Sequence, residues 1–378
     1  MTDRVAVVGG GVIGCGIARE LAPDHDVVVV EKGQVAGEAS ALAAGLITMS
    51  SSYTDVRSVA EFANGFFREY DGTGEFRFTE RESVEPVPPE REGEARRRAE
   101  RLADGGVPAE FVEAETLADR YPRIDTEGLV GGVVFEGSGW VDPYTFATTL
   151  QADAVDRGAA FRTDTAVDGV AVEGGAVTGL ETESGFVEAD TVVAAAGWRT
   201  ADLLAGLVEL PLRPYRTQCV VVEPPEDASK LPMGWIPEEH VYWRPELNGD
   251  LLLGGWSFAE DDPEAASGKE DEGFRQHVAE LLPGTFRGMD GAEFVNGWAG
   301  VDGATPDTRP IFDAPDEGPD GLVVATGLHG RGVMTTPVAV RAVRSLVTGE
   351  SAPFPLEPFR LDRFESRSRD FEFQSISA

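Results

Sequence analysis

At 378 residues, 42% of them hydrophobic, the chain is long enough for two globular domains, each with its own core. Its formal charge of −35, from 67 acidic against 32 basic residues, argues against nucleic acid or an anionic membrane surface as a partner, because like charges repel. The acids are spread along the whole chain, as in halophilic proteins whose self-repulsion is screened by concentrated salt, so a salt-rich cytoplasm is the expected setting.

The first predicted element organises the rest. Residues 5–8 are an uncharged, valine-rich run that reads as a buried strand. Gly9, Gly10, Gly11, Val12, Ile13 and Gly14 then satisfy Gly-x-Gly-x-x-Gly, an amphipathic helix runs to Leu21, and a second strand over 27–30 leads to Glu31 and Lys32. In such a unit Gly9 permits the tight turn, Gly11 lets a pyrophosphate approach the backbone, and Gly14 brings helix and strand together. The helix N-terminus offers unpaired N–H groups to the phosphates. Glu31 lies 22 residues beyond Gly9, where a carboxylate meets a ribose hydroxyl pair. Dinucleotide binding is the expected role of this stretch. The N-terminus carries Asp3 and runs straight into the turn, so no secretory signal is expected, and no apolar run reaches the ~18 residues of a membrane span. Two cysteines, Cys15 and Cys219, are too few for a disulfide framework.

Residues 37–47 are a run of small side chains, either an alanine-rich helix start or a place where backbone approaches a flat ring system; Ser40 can donate to a phosphate. Residues 50–125 change character. The strongly charged stretch 91–101 reads as a helix with a solvated face, the prolines at 86, 88 and 89 mark loops, and the region looks like an insertion that covers something. Asp142 and Pro143 open a helix reaching about Arg157, as N-cap and first-turn residue. Short strands follow over 160–162, 166–172, 176–182 and 185–188, then a buried strand over 191–196 that ends in Gly197. Strands at 218–222, 241–244 and 250–254, a helix at 270–282, a buried strand at 322–326 and a helix from about 336 to 346 complete the reading. Three buried strands thus end in glycine, near residues 8, 196 and 326, and should converge on one crevice, since ligands of open parallel sheets bind beyond the carboxyl ends of the strands. The polar stretch 364–378 reads as loosely held.

Several blocks together resemble a known family. They are the N-terminal fingerprint, Gly139-Trp140-Val141-Asp142-Pro143, the run 189–198 ending Ala196-Gly197-Trp198, Trp298-Ala299-Gly300, Thr305-Pro306-Asp307, and the glycine-rich turn 325–332. In order and spacing they resemble the FAD-dependent oxidoreductases of the D-amino acid oxidase, glycine oxidase and sarcosine oxidase type. The likeness is nearest to sarcosine oxidase β chains and dye-linked L-proline dehydrogenase β subunits, which share Met-x-x-Pro after the last turn, here Met334 to Pro337. The resemblance implies an α/β fold: a Rossmann-like FAD-binding domain (1–49, 140–210, 301–365) interleaved with a mainly antiparallel-sheet substrate domain (50–139, 211–300), with 366–378 as a tail.

It also implies FAD with its adenosine on Glu31 and Lys32 and its pyrophosphate on the turn from Gly9 to Gly14. Val167 would touch the adenine through its backbone. Ser40, Ala44, Gly45 and Leu46 would flank the isoalloxazine with Gly327, Gly330, Arg331, Gly332, Val333 and Met334, and Ala196, Gly197 and Trp198 would border the site. The cysteine that holds flavin covalently in some relatives falls on Gly300, so the FAD is expected to be non-covalent. The lysine that promotes reaction with oxygen falls on Leu252, which favours a dehydrogenase; oxygen, a quinone or a partner subunit all stay open as electron acceptor, and a homo- or hetero-oligomer is open too.

The resemblance places Tyr242 on the substrate side. The family arginine for a substrate carboxylate falls near Asp302, and its alternative lysine on Met334. Arg244, two residues from Tyr242 on a strand, should share its face and can substitute, with a surface salt bridge as the other reading. Arg331 is a second candidate, or else a phosphate or loop contact. His329 could sit over the flavin or abstract an amine proton, or be structural. The leading function is oxidation of the C–N bond of a small amino acid or N-methyl amino acid. The alternatives are oxidation of a 2-hydroxy acid or glycerol 3-phosphate, and a flavin-bearing subunit with a degenerate substrate site.

Overall fold

A computed structural model describes residues 3–72 and 74–375. The valine-rich runs form the middle of a six-stranded sheet. Arg4–Val8 lies between Asp26–Val30 and Thr191–Ala194, and Leu322–Thr326 joins the latter, all in parallel. Ala160–Arg162 closes one edge in parallel and Ile311–Asp313 the other in antiparallel fashion. Both faces are covered, which is why the strands are apolar without alternation. Val5 and Val7 pack with side chains of the helices Val12–Leu21, Pro143–Asp156 and Gly332–Thr348. Ala6, Val8 and Val192 face a three-stranded antiparallel layer, Val167–Glu173, Ala176–Thr182 and Gly185–Glu188. The cap read at Asp142 forms: its Oδ1 accepts the N–H of Thr145 at 2.7 Å.

An eight-stranded sheet makes the second layer system, in the order Glu293–Ala304, Arg213–Glu223, Leu251–Ala259, Val241–Pro245, Met233–Ile236, Ser83–Val87, Gly131–Phe135, Ala109–Glu113. Its pairings are antiparallel except for Met233–Ile236 with Ser83–Val87. One face is sealed by the helix Glu272–Thr285 around Trp243, Phe274 and Phe286. The other carries Cys219, Val221 and Leu252, which pack on Ala44.

Several expectations need correction. The region 50–125, expected to cover something, supplies two strands, Ser83–Val87 and Ala109–Glu113, to this sheet; Pro86, expected to mark a loop, lies inside Ser83–Val87, past the residues that pair with Met233–Ile236, where a missing N–H is tolerated. Strand Glu293–Ala304 escaped notice because Gly297, Gly300 and Gly303 break its pattern. The run 37–47 is no helix, only turns ending in the short strand Leu46–Ile47. The last helix starts at Gly332 rather than 336, so Pro337 lies inside it; the Thr336 hydroxyl donates to Gly332 O at 2.9 Å within that early turn. The tail is packed rather than loose as far as Ser375. Arg213 donates to Phe371 O at 3.0 Å, Arg369 pairs with Asp202 at 2.6 Å, and Ser375 meets Ser257 at 2.9 Å. Among the described residues no helix is long and apolar enough to cross a membrane, and no cluster of His, Cys, Asp and Glu could hold a metal ion.

Candidate active site

Because Arg4–Val8, Thr191–Ala194 and Leu322–Thr326 are neighbours, their carboxyl ends open onto one cavity of about 810 Å³, within the usual range for small-molecule sites. At its nucleotide end Gly9 has φ +107°, and a Cβ there would lie 2.4 Å from Ala195 O. A Cβ at Gly14 would lie 1.9 Å from Gly9 O. Only glycine fits either place, for backbone conformation in one case and helix–turn packing in the other. The Val12 N–H donates to Ser40 Oγ at 2.9 Å. The Glu31 carboxylate accepts from Gly10 N at 2.7 Å and Gly33 N at 2.8 Å, so both polar side chains are fixed in advance at the cavity wall. Lys32 is paired with Glu38 at 2.6 Å, and Arg199 with Glu38 and Glu264 at 2.6 and 2.9 Å.

The lining also includes Gly11, Val12, Ile13, Val167, Ala196, Gly197 and Trp198. Farther along it includes Ala44, Gly45 and Leu46, facing Gly330, Arg331, Gly332, Val333 and Met334. Gly45, at φ +74°, brings the chain so close to Val141 O that a Cβ would lie 2.1 Å from it. Two cofactor candidates are not lining residues. Gly14 packs on Gly9, and Gly327 is pressed against Thr305, whose Cγ2 a Cβ would meet at 2.5 Å. The donor set suits a flavin nucleotide: a glycine cradle at one helix start, a second helix starting at Gly332, and side chains no larger than alanine at 43–45 where a ring system would need close approach.

The substrate-side candidates separate. Tyr242 lines the cavity with its hydroxyl 3.6 Å from Cys219 Sγ, and burial pushes its ionisation well above the usual tyrosine range, so it is a neutral hydroxyl at ordinary pH. Arg244 leaves the same face but is only 3% exposed and does not line the cavity. Its Nε donates to Ala44 O at 2.5 Å, its Nη1 lies 3.0 Å from Glu246, and its guanidinium sits 4.3 Å from the ring centroid of Trp140. It therefore anchors the turn at Ala44 and is not free to take a substrate carboxylate.

His329 does not reach the cavity either. Fully buried, it lies between the rings of Tyr215 and Phe373, and its Nε2 is 2.8 Å from Gln374 O. The packed tail, unforeseen in the sequence, takes it away from the flavin site. Arg331 does line the cavity, with Nη1 donating to Thr308 O at 3.0 Å. Asp302 lines it too; its Oδ1 accepts from Gly303 N at 2.7 Å and its Oδ2 from Gly330 N at 2.8 Å, while burial raises its pKa.

Several lining residues, Ser83, Trp235 and Arg98 among them, are not marked by any sequence motif. Arg98, on the charged helix Glu92–Asp104, turns inward. The signal was present, because Ala95, Ala99 and Leu102 form an apolar stripe and Arg98 falls on it at the i+3 position.

A glycine cradle on a parallel sheet, joined by one cavity to a separate antiparallel sheet bearing polar groups, defines a dinucleotide-cofactor protein with its own substrate layer. Residues 4–346 match the family model described as DAO, FAD dependent oxidoreductase, and the chain belongs to that family of FAD-binding enzymes. It is 28% identical to the glycine oxidase of Geobacillus kaustophilus (strain HTA426) over 96% of this chain and 98% of that protein. The crystal structure of glycine oxidase from Geobacillus kaustophilus matches with a TM-score of 0.86 at 26% identity, covering 97% of this chain and 100% of that one. The crystal structure of L-proline dehydrogenase from P. horikoshii shares the fold, with a TM-score of 0.85 at 22% identity over 96% and 98% of the two chains.

Proposed function

We propose that this enzyme oxidises the C–N bond of a small amino acid or N-methyl amino acid, of the sarcosine, glycine, proline or D-amino acid type, with non-covalently held FAD. The observation that carries the reading is the continuity of the cavity from the cradle at Gly9 to the neutral hydroxyl of Tyr242. Bound FAD supplies a two-electron acceptor for the hydrogen on the carbon that bears nitrogen. The protein's own contribution is orientation. Tyr242 offers a donor and acceptor beside Cys219, and Arg331 is the cation that can fix a carboxylate. Non-covalent attachment is favoured by Gly300, which lines the cavity and carries no thiol. Leu252, buried among Ala44, Cys219 and Val221, leaves no cation at the position that favours oxygen, which supports an acceptor other than oxygen.

The test is anaerobic bleaching of the flavin in high salt by glycine, sarcosine, proline and D-amino acids. At least one amine should bleach it. Bleaching only by 2-hydroxy acids or glycerol 3-phosphate would move the assignment to alcohol oxidation, and no bleaching by either class would leave a flavin-carrying subunit.

A further inference from the structure

The residues that line the cavity on the eight-stranded sheet run in strand order Cys219, Tyr242, Trp235, Ser83. Ser83 lies two strands beyond Tyr242, about 10 Å at the usual strand spacing. Arg98 also lines the cavity, and it donates to Glu85, two residues along the same strand from Ser83. Two features mark the end as built for a ligand. Ser83 is 1% exposed, and its hydroxyl has no partner among the described residues. The Arg98 Nε is likewise buried and without a partner, although its Nη2 donates to Glu85. Glu85 is fully buried and also takes Arg91 at 3.0 Å, which pairs in turn with Glu238 at 2.7 Å.

Buried donors without acceptors cost free energy unless something supplies oxygen to them. The other lining cations are committed: Lys32 and Arg199 to carboxylates at the nucleotide end, and Arg331 to the first carboxylate in the function proposed above. We infer that Ser83 and Arg98 form an anion subsite for a second carboxylate, several bonds from the oxidised C–N bond. The substrate is then an amino acid with an acidic side chain or an N-carboxyalkyl substituent. The identity of the C–N end rests on the function proposed above; the anion subsite does not.

Calorimetric titration of the FAD-loaded enzyme with glutarate and with pentanoate, at one fixed salt concentration, isolates the second carboxylate without turnover. Glutarate should bind at least about tenfold more tightly, the scale of one charge-assisted hydrogen bond. Arg98→Gln should abolish that preference with flavin content unchanged, and Arg98→Lys should keep part of it. Ser83→Ala, neutral and small, should reduce it and decides the matter if Arg98→Gln does not fold. A preference that is absent from the wild type, or equal in wild type, Ser83→Ala and Arg98→Lys, would overturn the subsite. Arg98-dependent binding in a protein that oxidises no amine would sink the amine-oxidising reading alone, whereas amine oxidation with no such dependence would sink the subsite alone.

Discussion

Arg244 and Arg331 show how far a side chain's direction determines its work. Alternation along a strand placed Arg244 on the face of Tyr242, and the structure keeps it there, but its partners come from a segment 200 residues away. No local pattern announces that Ala44 O needs a donor. Arg244→Ala would leave that buried carbonyl without its partner, at a cost of about 1–3 kcal/mol. The expected outcome is a lower urea midpoint and reduced flavin content, with the KM of the remaining holoenzyme little changed. Arg331→Ala should behave oppositely, raising the KM for an amino acid about tenfold or more with FAD retained. Steady-state kinetics beside flavin absorbance and urea unfolding separates the two outcomes. Arg98 was harder to see than either, since a single inward arginine among four on a charged helix is visible only through the stripe it interrupts.

Among elements, the four inner strands of the six-stranded sheet were legible because each centres on a short apolar run, and a two-sided burial requires just that. The glycine ends of three of them made the crevice legible as well. Ser83–Val87 and Ala109–Glu113 were not, because proline and charge obscured their alternation, and Ser83–Val87 finds one of its partners as far along the chain as Met233. The tail shows the same limit: its polar composition conceals one ring, Phe373, that stacks on His329 at an interplanar angle of 8°. Burial lowers the pKa of His329 from 6.5 to about 4. A depressed histidine favours the folded state while neutral, so its contribution is fully present above pH 6.5 and is lost as pH falls toward 4. The total is roughly 3 kcal/mol. His329→Asn keeps a residue that tolerates the left-handed backbone found here at φ +49° and removes the titrating ring. Between pH 7 and pH 5, the stability of the wild type should fall by about 2 kcal/mol more than that of His329→Asn in urea unfolding. Parallel losses in the two proteins would show that His329 does not drive the acid sensitivity of this element.

For the molecule as a whole, charge dominates. The surface pairs formed by arginine with glutamate and aspartate are numerous, yet 32 basic residues cannot neutralise 67 acidic ones. Exposed pairs contribute little individually, whereas the net charge of −35 repels itself throughout. Added salt therefore weakens more repulsion than attraction, its screening length falling from ~10 Å at 0.1 M to ~3 Å at 1 M. The melting temperature should rise as potassium chloride is taken from 0.1 to 1 M, and a fall would show that the ion pairs outweigh the repulsion. This acidic balance was fully legible from composition; how the cavity's own cations are shared out was not, because that depends on which acids fold beside them.

The order of strands in the six-stranded sheet also governs when the cofactor chamber can be completed. Leu322–Thr326 completes a row begun by Arg4–Val8, and the helix starting at Gly332 supplies one wall of the cofactor chamber. In a chain made N-terminus first, the glycine turn emerges long before the opposite wall exists. Nucleotide capture thereby waits for the helix that starts at Gly332, and flavin retention reports that this helix has docked.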